Sequence, residues 1–452
     1  MYKKYIIVVI VMTGFLGFSQ AENKKSYQFS LEEAIAFAVD SSYNAINARK
    51  DVLAAMKQKW ETIADGLPQI NANVDYQYNP VVQVTPLPAE LTGGEPGTFV
   101  PVQFSPRQNM NATATLNQLI FDGSYIVALR AAKTFLRYSA NFEEKTQLEV
   151  RKAVVDAYGN VLLMEESIAI IERNLANAES NFKETKAVFE NGLAEEEDVE
   201  QLEITLIQLE NELRNAQRNH EITKETLNFV LGIPIDITVE LTDDLTSLAQ
   251  LDLMAEDLLE EDLALESNID FKIAENLVQQ RELEWKLEQS KALPTLSAFA
   301  NYGYIAFGEE FNFFNSQADW FDFSTVGVSL NVPIFSSLRR SARSQRAEIA
   351  LEQAETELTQ STQQIKLETN RAKSDFKYAT ETYITSQRNL DLAERIEHKN
   401  DVKFKEGIAT SFELRQAQQQ LYTAQNEYLQ AMLNIITAKA ELETVLNKPV
   451  IK

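Results

Sequence analysis

Hydrophobic positions recur every seven residues over an unusually long reach of this chain. Leu351, Leu358, Ile365, Ala372, Ala379, Ser386 and Ala393 fall at strict sevens. The stretch that holds them, Ile334 to Glu406, has neither glycine nor proline, so nothing local interrupts a helix. As one helix its roughly 73 residues would reach about 110 Å at 1.5 Å per residue, far beyond an ordinary globular helix. A heptad kept over this length specifies a left-handed coiled coil. A second row, Phe376, Tyr383 and Leu390, lies four residues further round. Two apolar rows predict a helix with a neighbour on each side, and the small residues of the first row let backbones come close.

The pattern has a twin. Leu136, Val150, Ala157, Met164, Ile171 and Ala178 keep the same sevens, broken at Glu143. An offset of 215 carries this row onto the later one, and carries Phe189, Gly192, Ala194, Asp198 and Pro234 onto Phe404, Gly407, Ala409, Glu413 and Pro449. Upstream, Leu116-Asn117 and Ile120-Phe121 answer Leu330-Asn331 and Ile334-Phe335 with one residue of slippage. Self-similarity on this scale means two copies of one structural unit.

Four shorter stretches switch to a period of two. Ile70, Ala72, Val74, Tyr76 and Tyr78 alternate with Asn71, Asn73, Asp75 and Gln77, and Met110, Ala112, Ala114 and Leu116 alternate with Asn111, Thr113 and Thr115. Leu296 to Tyr304 and Val326 to Val332 repeat this in the second copy. About ten residues of clean alternation fit a tilted membrane-spanning strand. Even-numbered positions such as Val74, Leu116, Ala298 and Val328 are expected to face lipid, and odd ones such as Asn73, Thr115, Ser297 and Ser329 a lumen. The tyrosines near the strand ends resemble an aromatic girdle. Between the first two strands, residues 79–108 hold six prolines and Gly93-Gly94, predicting a long exposed loop.

The remaining segments read as helices. Ser30 with Glu33 is a capping box that opens the first. Val199, Leu202, Leu206, Leu209, Leu213 and Ala216, and the row from Leu414 to Val445, alternate threes and fours as coiled-coil seams. Asn191-Gly192 and Gly407 mark the turns between paired helices. The predicted order is a segment 1–21; a first repeat over 22–234, with helix 31–66, strands 69–78 and 109–121, long helix 122–191 and helix 195–231; a bridge over 235–254; and a second repeat over 255–452, with helix 255–292, strands 295–305 and 324–334, long helix 335–406 and helix 410–446.

Composition narrows the function. The 452 residues carry a net charge of −25, no cysteine and two histidines. That excludes disulfides and thiol chemistry and leaves little material for metal or acid–base catalysis, so no catalytic residue, metal or cofactor is expected. No basic patch suggests nucleic acid as a partner. The start reads as a secretory signal: Lys3 and Lys4, an apolar run from Tyr5 to Phe18, and Ser19-Gln20-Ala21 at a plausible cleavage site. His220 falls in the coiled-coil seam where the second copy has Ile435, the position of an interhelical histidine.

Four strands cannot close a membrane barrel, for which about eight is the minimum, and an open sheet edge cannot face lipid. If these strands span a bilayer, the chain must oligomerise. The expected class is therefore mainly α with a membrane β-barrel portion: two tandem repeats of long antiparallel coiled-coil helices plus four strands per chain. A soluble periplasmic coiled-coil scaffold or adaptor is the alternative, although adaptors need glycine-rich β-domains and none is visible. A diffusion porin fits poorly with so much helix.

The doubled helix–strand–strand–helix–helix unit, the opening Leu31-Glu32-Glu33-Ala34-Ile35 and the turns Phe189-Glu190-Asn191-Gly192-Leu193-Ala194 and Phe404-Lys405-Glu406-Gly407-Ile408-Ala409 resemble the TolC-type outer-membrane efflux protein family. The resemblance covers nearly the whole mature chain. It implies a homotrimer with a twelve-stranded barrel in the outer-membrane lipid on a helical tunnel (an α-barrel) across the periplasm. It also implies docking of a periplasmic adaptor protein and an inner-membrane pump of the RND or ABC type, with passive export of small molecules or of protein. On this resemblance Gly192, Leu193, Gly407 and Ile408 are adaptor-docking tips. Glu413, Asp198 and Phe404 belong to the periplasmic entrance, where copies of Glu413 would focus a negative potential on the axis. The chain departs from the family at Ser42-Tyr43-Asn44, where Asn-Pro is usual. It also has Gln416 for a second acid, Ala409 for the tip arginine and Phe404 for a tyrosine.

Overall fold

The computed structural model describes residues 26–448 except 256, 316 and 317. The predicted signal segment 1–21 and Pro449 lie outside the described residues. The elements run β1 (Tyr27–Phe29), α1 (Leu31–Ser41), α2 (Tyr43–Ala64), β2 (Gln69–Tyr78), β3 (Val84–Pro88), β4 (Phe99–Gln103), β5 (Gln108–Asp122), α3 (Gly123–Glu190) and α4 (Glu196–Leu231). The chain continues through β6 (Val239–Leu241), α5 (Leu245–Leu253), α6 (Asp257–Glu260), α7 (Ile269–Ser290), β7 (Thr295–Gly308), β8 (Trp320–Asn331), α8 (Arg339–Lys405) and α9 (Ser411–Val445). The order α2-β2-β5-α3-α4 returns as α7-β7-β8-α8-α9.

The helices α3 and α8, of 68 and 67 residues, are the long struts. The predicted seam of α8 lies inward: Ile365, Ala372, Ala379, Ser386 and Ala393 are buried, and Phe376 and Tyr383 of the second row are 0% and 2% exposed. Both rows meet α9: Ala393 clusters with Leu421 and Ala424, and the Tyr383 ring lies 5.5 Å from that of Tyr428. In the other half α3 packs along α4, α2 lies beside α3, and α7 touches both α3 and α8.

Several predicted boundaries need correction. The helix predicted over 31–66 breaks at Ser42. There Ser42 turns extended and its hydroxyl caps Ala45 N–H, while Ser41 Oγ donates to Leu231 O at 2.6 Å. The left-handed Gly232 that ends α4 abuts this break, and a β-carbon on it would meet Ser41 O at 2.3 Å. The helix predicted over 255–292 begins in earnest only at Ile269. Asn268 is a strong cap, accepting from Asp270 and Phe271 N–H while its amide donates to Val445 O at 2.9 Å. Helices α2 and α7 thus have 22 residues each, and α2 with α4 together are shorter than α3. The helix predicted over 335–406 starts at Arg339, after Ser337 and Leu338 at positive φ. The fourth strand is Trp320–Asn331 rather than 324–334, because Pro333 cannot join a ladder. The third runs on to Gly308, past the predicted 305. The loop over 79–108 contains the hairpin β3–β4.

The main core sits midway along the struts. β1 pairs in parallel with β6, and α1 and α5 pack on α3 and α9. Tyr158, fully buried on α3, donates to Phe29 O at 3.0 Å, and its oxygen lies 2.9 Å from the Asp243 carboxylate. Burial pushes the Tyr158 phenol well above its ordinary range. Arg151 pairs with Glu443 in the same belt, and Lys439 bridges Asp252 at 2.6 Å.

Candidate docking tips, periplasmic entrance and membrane sheet

Each hairpin closes through a glycine in the left-handed region, Gly192 at φ 78° and Gly407 at φ 70°. Leu193 N–H donates back to Val188 O at 3.1 Å and Ile408 N–H to Lys403 O at 2.8 Å. This is the bond from two residues past the helix end to its last turn that closes a Schellman motif. A β-carbon on either glycine would meet nothing within 4 Å, so only the backbone angle demands glycine. Both following side chains stand out into solvent, Leu193 81% and Ile408 75% exposed.

The acids at the two tips are first of all caps. Thr410 N–H donates to Glu413 Oε2 at 2.9 Å and Glu413 N–H to Thr410 Oγ1 at 3.2 Å. Donation from the Thr410 N–H first, and from its hydroxyl to Glu413 Oε2 at 3.2 Å second, holds the exposed Glu413 carboxyl below its ordinary range. Asp198 forms the matching, looser box with Glu195, whose N–H donates to Asp198 Oδ2 at 3.4 Å. It has a second role that Glu413 lacks. Ser411 Oγ donates to Asp198 Oδ1 and lies 3.4 Å from Gln201 Oε1, stitching the start of α9 to α4. A cleft of about 840 Å³ opens between the tips, with Gly192, Leu193, Phe404, Gly407 and Asp198 in its wall. The sequence reading brought out Asp198 and Phe404 but missed Ser411 and Gln201. No local pattern marks a serine just inside a helix as a cross-hairpin donor.

A second omission lies higher. Seven residues beyond Leu390 in the second apolar row stands Glu397, half-buried on α8 with Gln418 of α9 near it. Burial raises its carboxyl above the ordinary range. The 215 offset puts Phe182 at the same place in α3. His220 sits in its seam with Nε2 3.1 Å from Glu165 Oε1, the interhelical contact expected there.

At the other end β2-β5-β7-β8 form one antiparallel sheet. Even-numbered Val74 lies opposite Ala112, and Ala300 opposite Val326; odd-numbered Asn73 lies opposite Thr113, and Ser297 opposite Ser329. The clean polar face holds for β2 and for β5 as far as Asn117, before Leu119 and a register shift between Leu119 and Phe121, but not for β7 and β8. There odd positions include Phe299, Phe307, Phe321 and Phe323. Phe323 lies opposite Gly303 and Phe299 opposite Gly327, each ring filling the space over a glycine. Among the described residues no helix is long and apolar enough to cross a membrane.

Two tandem segments of the chain, residues 45–233 and 262–448, match the family model described as outer membrane efflux protein. The chain belongs to this family. Among curated proteins it is similar to the alkaline protease secretion protein AprF of Pseudomonas aeruginosa, 25% identical over 347 residues that cover 73% of this chain and 68% of AprF. Among solved structures it resembles the outer membrane protein VceC of Vibrio cholerae (TM-score 0.70, 16% identity, 92% of this chain and 96% of that one). It resembles CusC as closely in fold (TM-score 0.73, 16% identity, 92% of each chain). The fold is thus that of the TolC-type channels, and the chain is an outer-membrane component with its helices in the periplasm.

Proposed function

We propose that the chain is one third of a trimeric channel-tunnel that gives cargo a passive route across the outer membrane and performs no catalysis. The observation that carries this is the open sheet. β2 and β8 are its outermost strands, and among the described residues each pairs on one side only. Unpaired backbone groups facing lipid cost several kcal/mol each, so the edges must meet edges of other copies. Three copies close twelve strands, with Val74, Leu116 and Val328 outward to lipid and Asn73, Thr115 and Ser329 lining the lumen.

The exposed tips at Gly192-Leu193 and Gly407-Ile408 suit docking of a periplasmic adaptor, which would couple the duct to an inner-membrane RND or ABC-type pump. The likeness to a protein named for protease secretion favours polypeptide among the possible cargoes. Glu413 and Asp198 line the entrance in this reading, with Phe404 as its apolar seam. The test is reconstitution of the purified protein in planar bilayers alongside its mass in detergent. A mass three times that of the chain and a cation-selective conductance are expected. Glu413→Ala should lower the selectivity in 0.1 M salt and matter less in 1 M, where the screening length falls from about 10 Å to about 3 Å. A monomeric, non-conducting protein would overturn the proposal. Unchanged selectivity in Glu413→Ala would move the acidic ring to Asp198.

A further inference from the structure

One rung of residues crosses all four strands of the sheet. Tyr76 lies opposite Met110, Met110 opposite Ala306, and Ala306 opposite Trp320. Paired residues present their side chains on one face. The segment that follows β7 comes down on that face. Phe313 is 2% exposed and clusters with Met110, Ala306 and Trp320. Tyr76 meets the ring of Phe311 edge-on at 5.3 Å and that of Phe313 at 6.0 Å. Polar contacts fasten the arrangement. Trp320 Nε1 donates to Phe313 O at 3.3 Å, Gln108 Nε2 to Glu309 O at 3.2 Å, and the Tyr76 hydroxyl to Gln108 Oε1 at 3.1 Å.

The parity of this rung is that of Val74, Leu116, Val326 and Val328, the face turned to lipid in the proposed barrel. Its height can be read along β7. From the rung of Leu296 and Leu330 to that of Ala306 and Trp320 is ten residues. That is about 34 Å of strand, which at a tilt of about 40° climbs roughly 26 Å, against an apolar band about 25 Å tall. The rung therefore falls at one boundary of the band, where aromatic side chains gather. Above it two rings stay bare, Phe311 at 56% and Phe314 at 82% exposed.

We propose that the segment Glu309–Asn315 is an interfacial lipid anchor: Phe313 roots it on the sheet, and Phe311 and Phe314 enter the boundary between headgroups and acyl chains of the outer leaflet. It lies outside the barrel wall instead of folding over the lumen. This rests on the lipid-facing reading of the even-numbered positions and adds a site to it.

The natural chain has no cysteine, so single nitroxide labels report without background. Phe314→Cys, Val328→Cys and Asn73→Cys are labelled, reconstituted in lipid vesicles and compared for collision with oxygen and with a water-soluble nickel chelate. The label at 314 is expected to favour oxygen over nickel several-fold more than the label at 73, approaching the label at 328. A nickel-dominated label at 314 beside a lipid-exposed 328 overturns the anchor alone and places the segment over the water-filled mouth. A label at 314 shielded from both reagents also overturns it, because a neighbouring copy then covers the ring. Nickel exposure at 328 refutes the lipid face itself, and the anchor falls with it.

Discussion

The hairpins α3–α4 and α8–α9 end alike and differ in the middle. Their tips share a left-handed glycine, the same backward hydrogen bond and an acid that caps the returning helix. Their bodies do not superimpose in chemistry. Gly159 stands in α3 where the offset puts Ser374 in α8, and Phe182 stands where α8 has Glu397. A tip must satisfy its own backbone, so both copies reach one solution. The bodies meet different neighbours: α3 packs against α4 and α2 and also against α7 and α9 of the other copy, whereas α8 packs chiefly against α9 and α7. Duplication supplied the unit, and the asymmetric surroundings then fixed the side chains.

The largest expected contrast is at Gly159. A β-carbon there would lie 2.7 Å from Leu433 Cδ1, and Leu433 is itself a 6% exposed member of the main core. Gly159→Val should therefore cost about 1–3 kcal/mol by overpacking, despite better helix propensity than glycine. Ser374 is exposed, and Ser374→Val should change stability by no more than about 0.5 kcal/mol. Thermal unfolding of the two variants measures the difference. Equal losses would mean that the copies pack their struts alike.

Next come the tips, where the comparison predicts equality. Neither glycine is crowded, so Gly192→Val and Gly407→Val each force only a left-handed β-branched residue, worth roughly 1–2 kcal/mol. Assembly should survive in either variant, while adaptor crosslinking and export fall in both and further in the double variant. A fully assembled double variant that exports normally would remove the docking role. An effect confined to one tip would show that the adaptor distinguishes the copies.

Much of this was legible in the sequence because it rests on period. The sevens placed the buried row Ile365, Ala372, Ala379 and Ser386, and the alternation through Val74 and Ala112 marked β2 and β5 as strands. Tip glycines were legible because a left-handed cap has few other occupants. What stayed hidden depends on contacts distant in sequence. Ser42 breaks a helix because the end of α4 arrives there. Asn268 starts α7 late, tied to the last turn of α9. Phe299 and Phe323 interrupt a polar face because each covers a glycine on the next strand. Ser411 matters through Asp198 and Gln201, each more than 200 residues away in the chain.

The smallest expected effect probes the other difference, Phe182 against Glu397. On its own helix Glu397 faces Asp401, His398 and Lys405; from α9 it meets Gln418 and Tyr422; and Glu212 of α4 also reaches Tyr422. Its carboxyl is raised by burial first and by Asp401 second. A carboxyl raised in the folded state holds its proton more tightly there than when unfolded. Its contribution is therefore fully present below the ordinary carboxylate pKa of about 4.3 and is lost as pH climbs through the raised folded value. At neutral pH the charged carboxylate weakens the α8–α9 seam. Glu397→Gln keeps the shape and removes the charge, so it should stabilise the protein at pH 7 by at most about 1 kcal/mol, since water still reaches the group. The gain should vanish near pH 4, where the native residue is itself protonated. Unfolding midpoints of both proteins across this range decide it. A gain that persists undiminished at pH 4 would assign the effect to packing rather than charge, and the seam of α8 would then differ from that of α3 in shape alone.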